Sequence, residues 1–214
     1  FLQQQGVFAK QRPEAVFFGG GTPSVLNPAQ ISALLNKIHS VAKLADDCEV
    51  TFESSIYDLS ADKLAACIDG GVNRFSFGVQ AFDTHLRRSL GRLNAKEEVT
   101  GKLEEVAAKG VKVIIDLIYG LNGQTQAMLL NDIGTALACG VSGMDLYKLQ
   151  IMPKSPLGQA IAKGKIKYEY NDRMLAEMFV AADALLAEQG AKVLSCCHWA
   201  MREDERSGYN TLVK

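Results

Sequence analysis

An α/β fold built from parallel strand–helix units is predicted by three features of the sequence. Short apolar, often β-branched runs alternate with amphipathic segments from Ala15 to Cys197. Glycine marks many of the joints, and no low-complexity linker intervenes before about Met152. Units of this kind close into a barrel or open into a doubly wound sheet, and in both the ligand collects at the carboxyl ends of the strands.

The elements follow in order. AVFFGGG (Ala15 to Gly21) reads as a buried strand breaking into a glycine turn, and Pro28 to Val41 as a helix with Ile31, Leu34, Leu35 and Ile38 on one face. CEVTFES is the second strand. Ser60 caps a helix running to Ile68, stopped by Asp69-Gly70-Gly71. NRFSFGVQ is a strand, Lys96 to Lys109 a helix ended by Gly110, and VKVIIDLIYG a buried strand. Gln126 to Ala138 is a helix ended by Gly140, and MDLYKLQI the next strand. From Pro153 to Lys167 the pattern loosens into a mobile connection or a small helix. Asp172 to Gln189 forms the last long helix, before the strand AKVLSCC. Residues 1–152 are thus expected to hold the core of the α/β unit, and 153–214 its last helix and strand with the start of a C-terminal region.

Composition narrows the function. The chain has 214 residues, 48% of them hydrophobic, enough for one substantial core. A formal net charge of -1 offers no basic footprint for nucleic acid. No apolar run spans a bilayer and no charged-then-apolar leader opens the chain. It begins instead on Phe1, in a helix-like segment (FLQQQGVFAK), which predicts that the natural N-terminus lies upstream. Five scattered cysteines, Cys48, Cys67, Cys139, Cys196 and Cys197, argue against a disulfide framework and for a reducing, cytoplasmic setting. None forms a C-x-x-C spacing, and all five are expected to be buried, inert thiols.

Candidate site residues are the polar groups at the strand ends. The first strand ends in Gly19-Gly20-Gly21-Thr22-Pro23-Ser24, the second near Glu53, the third in Gln80, and the fourth carries Asp116. On neighbouring strands these would face one pocket, and because buried carboxylates need a partner, the set suits a cationic or hydroxyl-rich ligand such as an amine or a ribose. Each signal has a plainer alternative. The glycines serve equally as tight-turn geometry, since they have neither the G-x-G-x-x-G nor the Gly-Lys-Ser/Thr phosphate spacing. Glu53 and Asp116 could pair within a barrel mouth, and Arg92 could be a surface arginine.

Taken together, GGGTPS, a strand ending in Glu, NRFSFGVQ-x-F, GR-x-N and DLIYGL-x-x-QT resemble the oxygen-independent coproporphyrinogen III oxidase-like family of radical S-adenosylmethionine (SAM) enzymes. The order and spacing match from about Val16 to Pro153, and more loosely to Tyr209. The resemblance implies a partial parallel TIM-like barrel, here without its first strand, and two cofactors: SAM and a [4Fe–4S] cluster. The cluster's C-x3-C-x2-C ligands would lie upstream of Phe1. Carried over by position, Gly20, Gly21 and Thr22 match the turn that holds the methionine amino group. Glu53, Gln80 and Asp116 match positions around the amino group and ribose, and Arg92 the partner of the methionine carboxylate. This agrees with the unaided reading, in which acceptors meet an ammonium and hydroxyls and a cation meets a carboxylate.

The departures bear on the branch. Ser54-Ser55-Ile56 stands where relatives often carry an Asp-Pro or Asn-Pro turn, and Cys196-Cys197-His198-Trp199-Ala200 where the oxidases carry Asp-His-Phe-Ala. MPKSPL, CCHWA and ERSGYN look most like the ChuW/HutW group, which opens haem anaerobically by radical methyl transfer. Coproporphyrinogen III decarboxylation and haem carriage without turnover are the alternatives. A phosphate-binding barrel with no radical chemistry needs only the glycine turn. The implied partners are a tetrapyrrole, haem or coproporphyrinogen, and a low-potential electron donor. Without the upstream segment the chain is expected to be inactive and to bind SAM poorly, and relatives continue into a C-terminal domain that helps to close over substrate.

Other residues divide similarly. His198 would touch a propionate or haem iron, or be packed and hydrogen-bonded. His39 and His85 are expected on the surface, Met174 and Met178 in the core. REDER (Arg202 to Arg206) reads as a solvated loop, and Lys163, Lys165 and Lys167 as solvated surface rather than a propionate site.

Overall fold

A computed structural model describes residues 12–212; the helix-like opening Phe1 to Lys10 falls outside them. One seven-stranded sheet has the order β1-β2-β3-β4-β5-β7-β6. Strands β1 (Ala15–Phe18), β2 (Glu49–Ser54), β3 (Arg74–Gln80), β4 (Lys112–Tyr119) and β5 (Gly143–Lys148) are mutually parallel. The sheet is mostly parallel and is not closed among the described residues, as a partial barrel requires. Helices α1 (Pro28–Val41), α2 (Ala61–Asp69), α3 (Thr84–Ser89), α4 (Lys96–Ala107) and α5 (Gln126–Ala138) occupy the crossovers. A short α6 (Pro156–Ala162), capped by Ser155, lies within the loosened stretch, and α7 (Asp172–Glu188) follows. α8 (Gly208–Leu212) ends the described chain.

Alternation along each strand divides the sheet into two faces. Phe52 on β2, Phe75, Phe77 and Val79 on β3, Val113, Ile115 and Leu117 on β4, and Met144 and Leu146 on β5 are buried in one apolar core. Ile31 and Leu35 of α1, Leu64 and Cys67 of α2, Val99 and Leu103 of α4 and Ile133 of α5 belong to the same core. Most of the alternate positions are polar, Glu49, Thr51 and Glu53, Arg74, Ser76 and Gln80, Lys112 and Asp116, and Asp145, with Ile114 and Ile118 of β4 as apolar exceptions. The helix-facing side therefore supplies most of the hydrophobic driving force, and the opposite side carries most of the sheet's charge.

The end of the sheet departs from expectation. AKVLSCC was expected to be one strand, yet only Lys192–Val193 forms it (β6), and the chain turns back at once into β7 (His198–Ala200). β7 lies between β5 and β6 and runs antiparallel to both. Trp199 explains the insertion. Its side chain is 1% exposed, packs 5.8 Å from the Phe179 ring, and donates its indole N–H to Asp183 on α7 at 3.0 Å. Burying that large side chain with its N–H satisfied outranks seating the exposed Lys192 and Val193 beside β5.

Smaller corrections concern burial. Met178 is buried as expected, but Met174 is 40% exposed at the start of α7. Cys48, Cys67 and Cys139 are buried, whereas Cys196 is exposed and Cys197 half-buried in the turn before β7. REDER is not wholly solvated, because Glu205 is 2% exposed. His39, His85, Lys163, Lys165 and Lys167 are exposed. Among the described residues no helix is long and apolar enough to cross a membrane.

Candidate functional site

A cleft of about 190 Å³ opens at the carboxyl ends of the strands, lined by Thr22, Glu53, Ser54, Ser55, Ser76, Gly78, Arg92 and Asp116. Four sequence-predicted residues, Thr22, Glu53, Arg92 and Asp116, thus meet in one cavity. Gln80 reaches its edge: a Cβ built on Gly78 would fall 2.8 Å from the Gln80 amide nitrogen, 3.5 Å from an Arg92 terminal nitrogen and 3.9 Å from an Asp116 oxygen. Gly20 is held to the same site, its N–H donating to Glu53 Oε2 at 3.0 Å.

The turn after β1 shows what each glycine does. A Cβ on Gly19 would meet the Phe17 ring at 2.5 Å and the Glu53 carboxyl at 2.9 Å, so close approach demands glycine there. Gly20 has φ +100, in the region that disfavours side chains, while nothing lies within 4 Å of a Cβ on Gly20 or Gly21. The backbone at Gly20 and Gly21 is accordingly open to a ligand. Thr22 follows with φ 62. The turn is stapled to its surroundings by Lys63, which donates to Ser24 O at 2.7 Å.

Gln80 owes its placement to a break in the ladder. The β3–β4 register shifts between Gly78 and Gln80, and Gln80 has φ 73, so the bulge turns its side chain toward the cleft. The end of β4 is closed by Gln124, whose amide oxygen accepts the N–H groups of Gly120 and Leu121 and whose NH2 donates to Ile118 O. The Gln-Thr of the DLIYGL-x-x-QT motif is therefore a structural clasp, with Thr125 capping α5 through Met128 N.

Electrostatics favour a cation. Burial first, then the carboxylates of Asp145 and Glu53, push Asp116 up to about 7, against the pull of Arg74 and Arg92. Burial draws Arg92 below its ordinary value and Asp116 opposes that. Two carboxylates against one guanidinium in the cleft suit an incoming positive charge, with Arg92 left for an anionic end.

Beneath the cleft lies a charged layer the sequence did not reveal. His198, 1% exposed, sits with Nδ1 3.1 Å from Asp145 and Nε2 3.4 Å from Glu205, close contacts although neither ring nitrogen has good hydrogen-bond alignment. Glu205 also receives Arg74. His198 is thus a packed residue flanked by acids, and a role in touching substrate finds no opening in this geometry. Nearer the mouth, Cys197 Sγ lies 3.9 Å from Asp145. Asp145, Ser76 and Glu205 carried no signal in the sequence beyond being polar; strand alternation could have flagged the first two, whereas Glu205 lies in a loop without periodicity.

The radical SAM superfamily model matches residues 2–135. The chain belongs to the radical SAM superfamily. Members use SAM and a [4Fe–4S] cluster, and the branch is the coproporphyrinogen-oxidase-like one. The chain is 31% identical to the anaerobilin synthase of Escherichia coli O157:H7 across 100% of its own length and 48% of that protein. It is 36% identical to the heme chaperone HemW of Bacillus subtilis across 72% of this chain and 41% of that protein. Among solved structures, the radical SAM coproporphyrinogen III oxidase HemN of Escherichia coli superposes with a TM-score of 0.80 at 26% identity, over 98% of this chain and 50% of that one. The chain therefore spans half or less of each of these relatives.

The donor set fits SAM. Open backbone at Gly20 and Gly21 with Thr22 and Glu53 offers acceptors to an ammonium, Asp116 and Gln80 polar partners to ribose hydroxyls, and Arg92 a cation to a carboxylate. For the cluster, no group of three or more His, Cys, Asp or Glu among the described residues could hold a metal ion. None of them is assigned to it.

Proposed function

We propose that this chain is the SAM-binding part of a radical enzyme that acts on a tetrapyrrole, and that its reaction is the anaerobic opening of haem by radical methyl transfer. The observation that carries the choice of branch is the match to anaerobilin synthase over the whole chain, which takes in the MPKSPL, CCHWA and ERSGYN segments. Bound SAM would supply a carbon-centred radical after one-electron reduction.

The chain's own residues do the rest. Gly20, Gly21 and Thr22 with Glu53 would seat the amino group, Arg92 would hold the carboxylate in a charge-assisted pair, and Asp116 with Gln80 would fix the ribose. Contacts at three places would orient the bound cofactor within the cleft, with the β1 turn and the β2–α2 loop lining one side of it.

The full-length protein, with its cluster, tests this. Given haem, SAM and a low-potential reductant without oxygen, it should form 5′-deoxyadenosine and consume haem. Turnover with coproporphyrinogen III instead would support the decarboxylase reading, in line with the HemN superposition. Haem binding with no substrate-dependent SAM cleavage would support the carrier, in line with the HemW identity.

A further inference from the structure

Arg87 does not line the cleft, yet it holds the backbone on either side of Gln80 and the turn that carries Arg92. It lies on α3 and is 1% exposed. Its Nη1 donates to Val79 O at 2.7 Å and to Ala81 O at 2.9 Å, and its Nε to Asn94 O at 2.9 Å. Val79 and Ala81 flank Gln80. Asn94 closes the turn that carries Arg92, and Arg92 N in turn donates to Arg87 O at 2.9 Å. One guanidinium therefore ties together the two backbone segments that present Gln80 and Arg92.

We propose that Arg87 is a positioning residue for the cofactor, which locks Gln80 in its left-handed conformation and fixes the Arg92 turn against it. The proposal rests on reading the cleft as the SAM site. Gln80 is a non-glycine residue at φ 73 on a bulge, a conformation that persists only when its surroundings overdetermine it. Clamping the carbonyls on both sides of it from a single nitrogen does so. The planar fork is needed because donors must leave in two directions, toward β3 and toward Asn94; a lysine, with one nitrogen on a flexible stem, cannot span both.

The electrostatic setting points the same way. Burial and the neighbouring Arg92 both disfavour charge on Arg87, while Asp132 and Glu98 support it. No carboxylate bonds directly to its guanidinium among the described residues, which spends all three side-chain bonds on carbonyls. A cation kept in that position serves the shape of the backbone rather than an ion pair.

The experiment uses the full-length protein with its cluster, and SAM as the probe, measured by equilibrium titration and by KM and kcat for SAM cleavage. Arg87→Met should weaken SAM binding roughly 10-fold, the scale seen when an outer partner orienting a ligand is lost, with KM raised and kcat at saturation largely kept. Arg87→Lys should fall between the two. In a cycle with Gln80→Ala, the double variant should lose less than the two single losses multiplied, because Arg87 acts largely through Gln80. Unchanged SAM affinity in a folded Arg87→Met protein, or losses that multiply in full alongside a lowered melting temperature, overturn the proposal. If Arg87→Met does not fold, unchanged affinity in Arg87→Lys does the same. Should Gln80→Ala and Arg92→Met both leave SAM affinity intact, the cofactor reading of the cleft falls and takes this inference with it, an outcome distinct from failure of Arg87 alone.

Discussion

Glu205 receives the Arg74 guanidinium in a fork, with Nε 3.2 Å from both carboxylate oxygens and Nη2 3.1 Å from one of them. Both side chains are buried, Arg74 at the start of β3 and Glu205 in the loop after β7. Ser207 N donates to the same carboxylate, and Gly208 N to Glu49 on β2, so the loop crosses the amino-terminal end of the barrel and delivers α8 to β1, where Tyr209 packs 4.8 Å from Phe17. Removing one partner of a buried pair strands the other, which costs about 3–5 kcal/mol. Glu205→Ala should therefore lose about that much in chemical denaturation, while Asp204→Ala, on an exposed neighbour, should change stability little.

Stability should fall on the alkaline side because of His198. Burial alone would hold its imidazole neutral, but Asp145 and Glu205 outweigh burial and raise it to about 9. Its folded value lies above its unfolded value of 6.5, so the contribution is complete below about 6.5 and is lost as pH rises through about 9. Arg74, Asp116, Tyr147 and the Cys197 thiol are the other ionisable groups facing these two acids. Glu205 titrates in the opposite sense. Burial would raise it, but His198 and Arg74 hold it at about 2, so its contribution is present above 4.5 and fades toward pH 2. Melting temperatures of the wild type and His198→Gln should converge between pH 7 and about 9; parallel curves over that range would refute the assignment.

Asp116 should make SAM binding sensitive to pH. Held up to about 7 by burial and by Asp145 and Glu53, it is partly protonated near neutrality. A cationic ligand stabilises the carboxylate, so binding should expel a proton, and affinity should rise as pH climbs from about 6 through 7. Calorimetry of SAM binding to the full-length protein in buffers of different ionisation enthalpy would read the proton release directly. In Asp116→Asn that release should vanish.

The three glycines after β1 should separate by function. Gly19→Ala should destabilise, because its Cβ meets the Phe17 ring and the Glu53 carboxyl, and Gly20→Ala should strain a backbone at φ +100. Gly21→Ala has open space and should leave the melting temperature unchanged while weakening SAM binding in the full-length protein. Equal melting losses at all three positions would contradict this division.

Thiol labelling should follow burial. Burial pushes the Cys67 thiol up to about 12, and Cys48 and Cys139 are also raised and buried, whereas Cys196 is exposed. The thiolate is the reactive form, so native protein treated with iodoacetamide should carry its first label on Cys196, with Cys48, Cys67 and Cys139 modified only after unfolding.

Much of the architecture was legible before any coordinates. β-Branched runs and helical periodicity located β1 to β5 and the main crossover helices, because local alternation and the 3.6-residue repeat are both imprinted by one buried face. Thr22, Glu53, Gln80 and Asp116 could be picked out because parallel strands bring their carboxyl ends together whatever lies between them, whereas Arg92, which follows a helix, was marked only by the family motif. What local pattern could not show was competition between distant segments. Trp199 displaced the expected last strand because its partner Asp183 lies on α7, and Glu205, inside a run that reads as solvated charge, is buried because Arg74 and His198 await it.

The sequence by itself determined the alternation of strands and helices and the family, since both are carried by short-range pattern and motif order. Only the tertiary structure decided which polar residues share a cavity, that His198 is packed between two acids, and that Arg87 braces Gln80. Those facts depend on desolvation and on partners distant along the chain, and the free energy of a buried charge is set by what surrounds it in space, not by its neighbours in sequence.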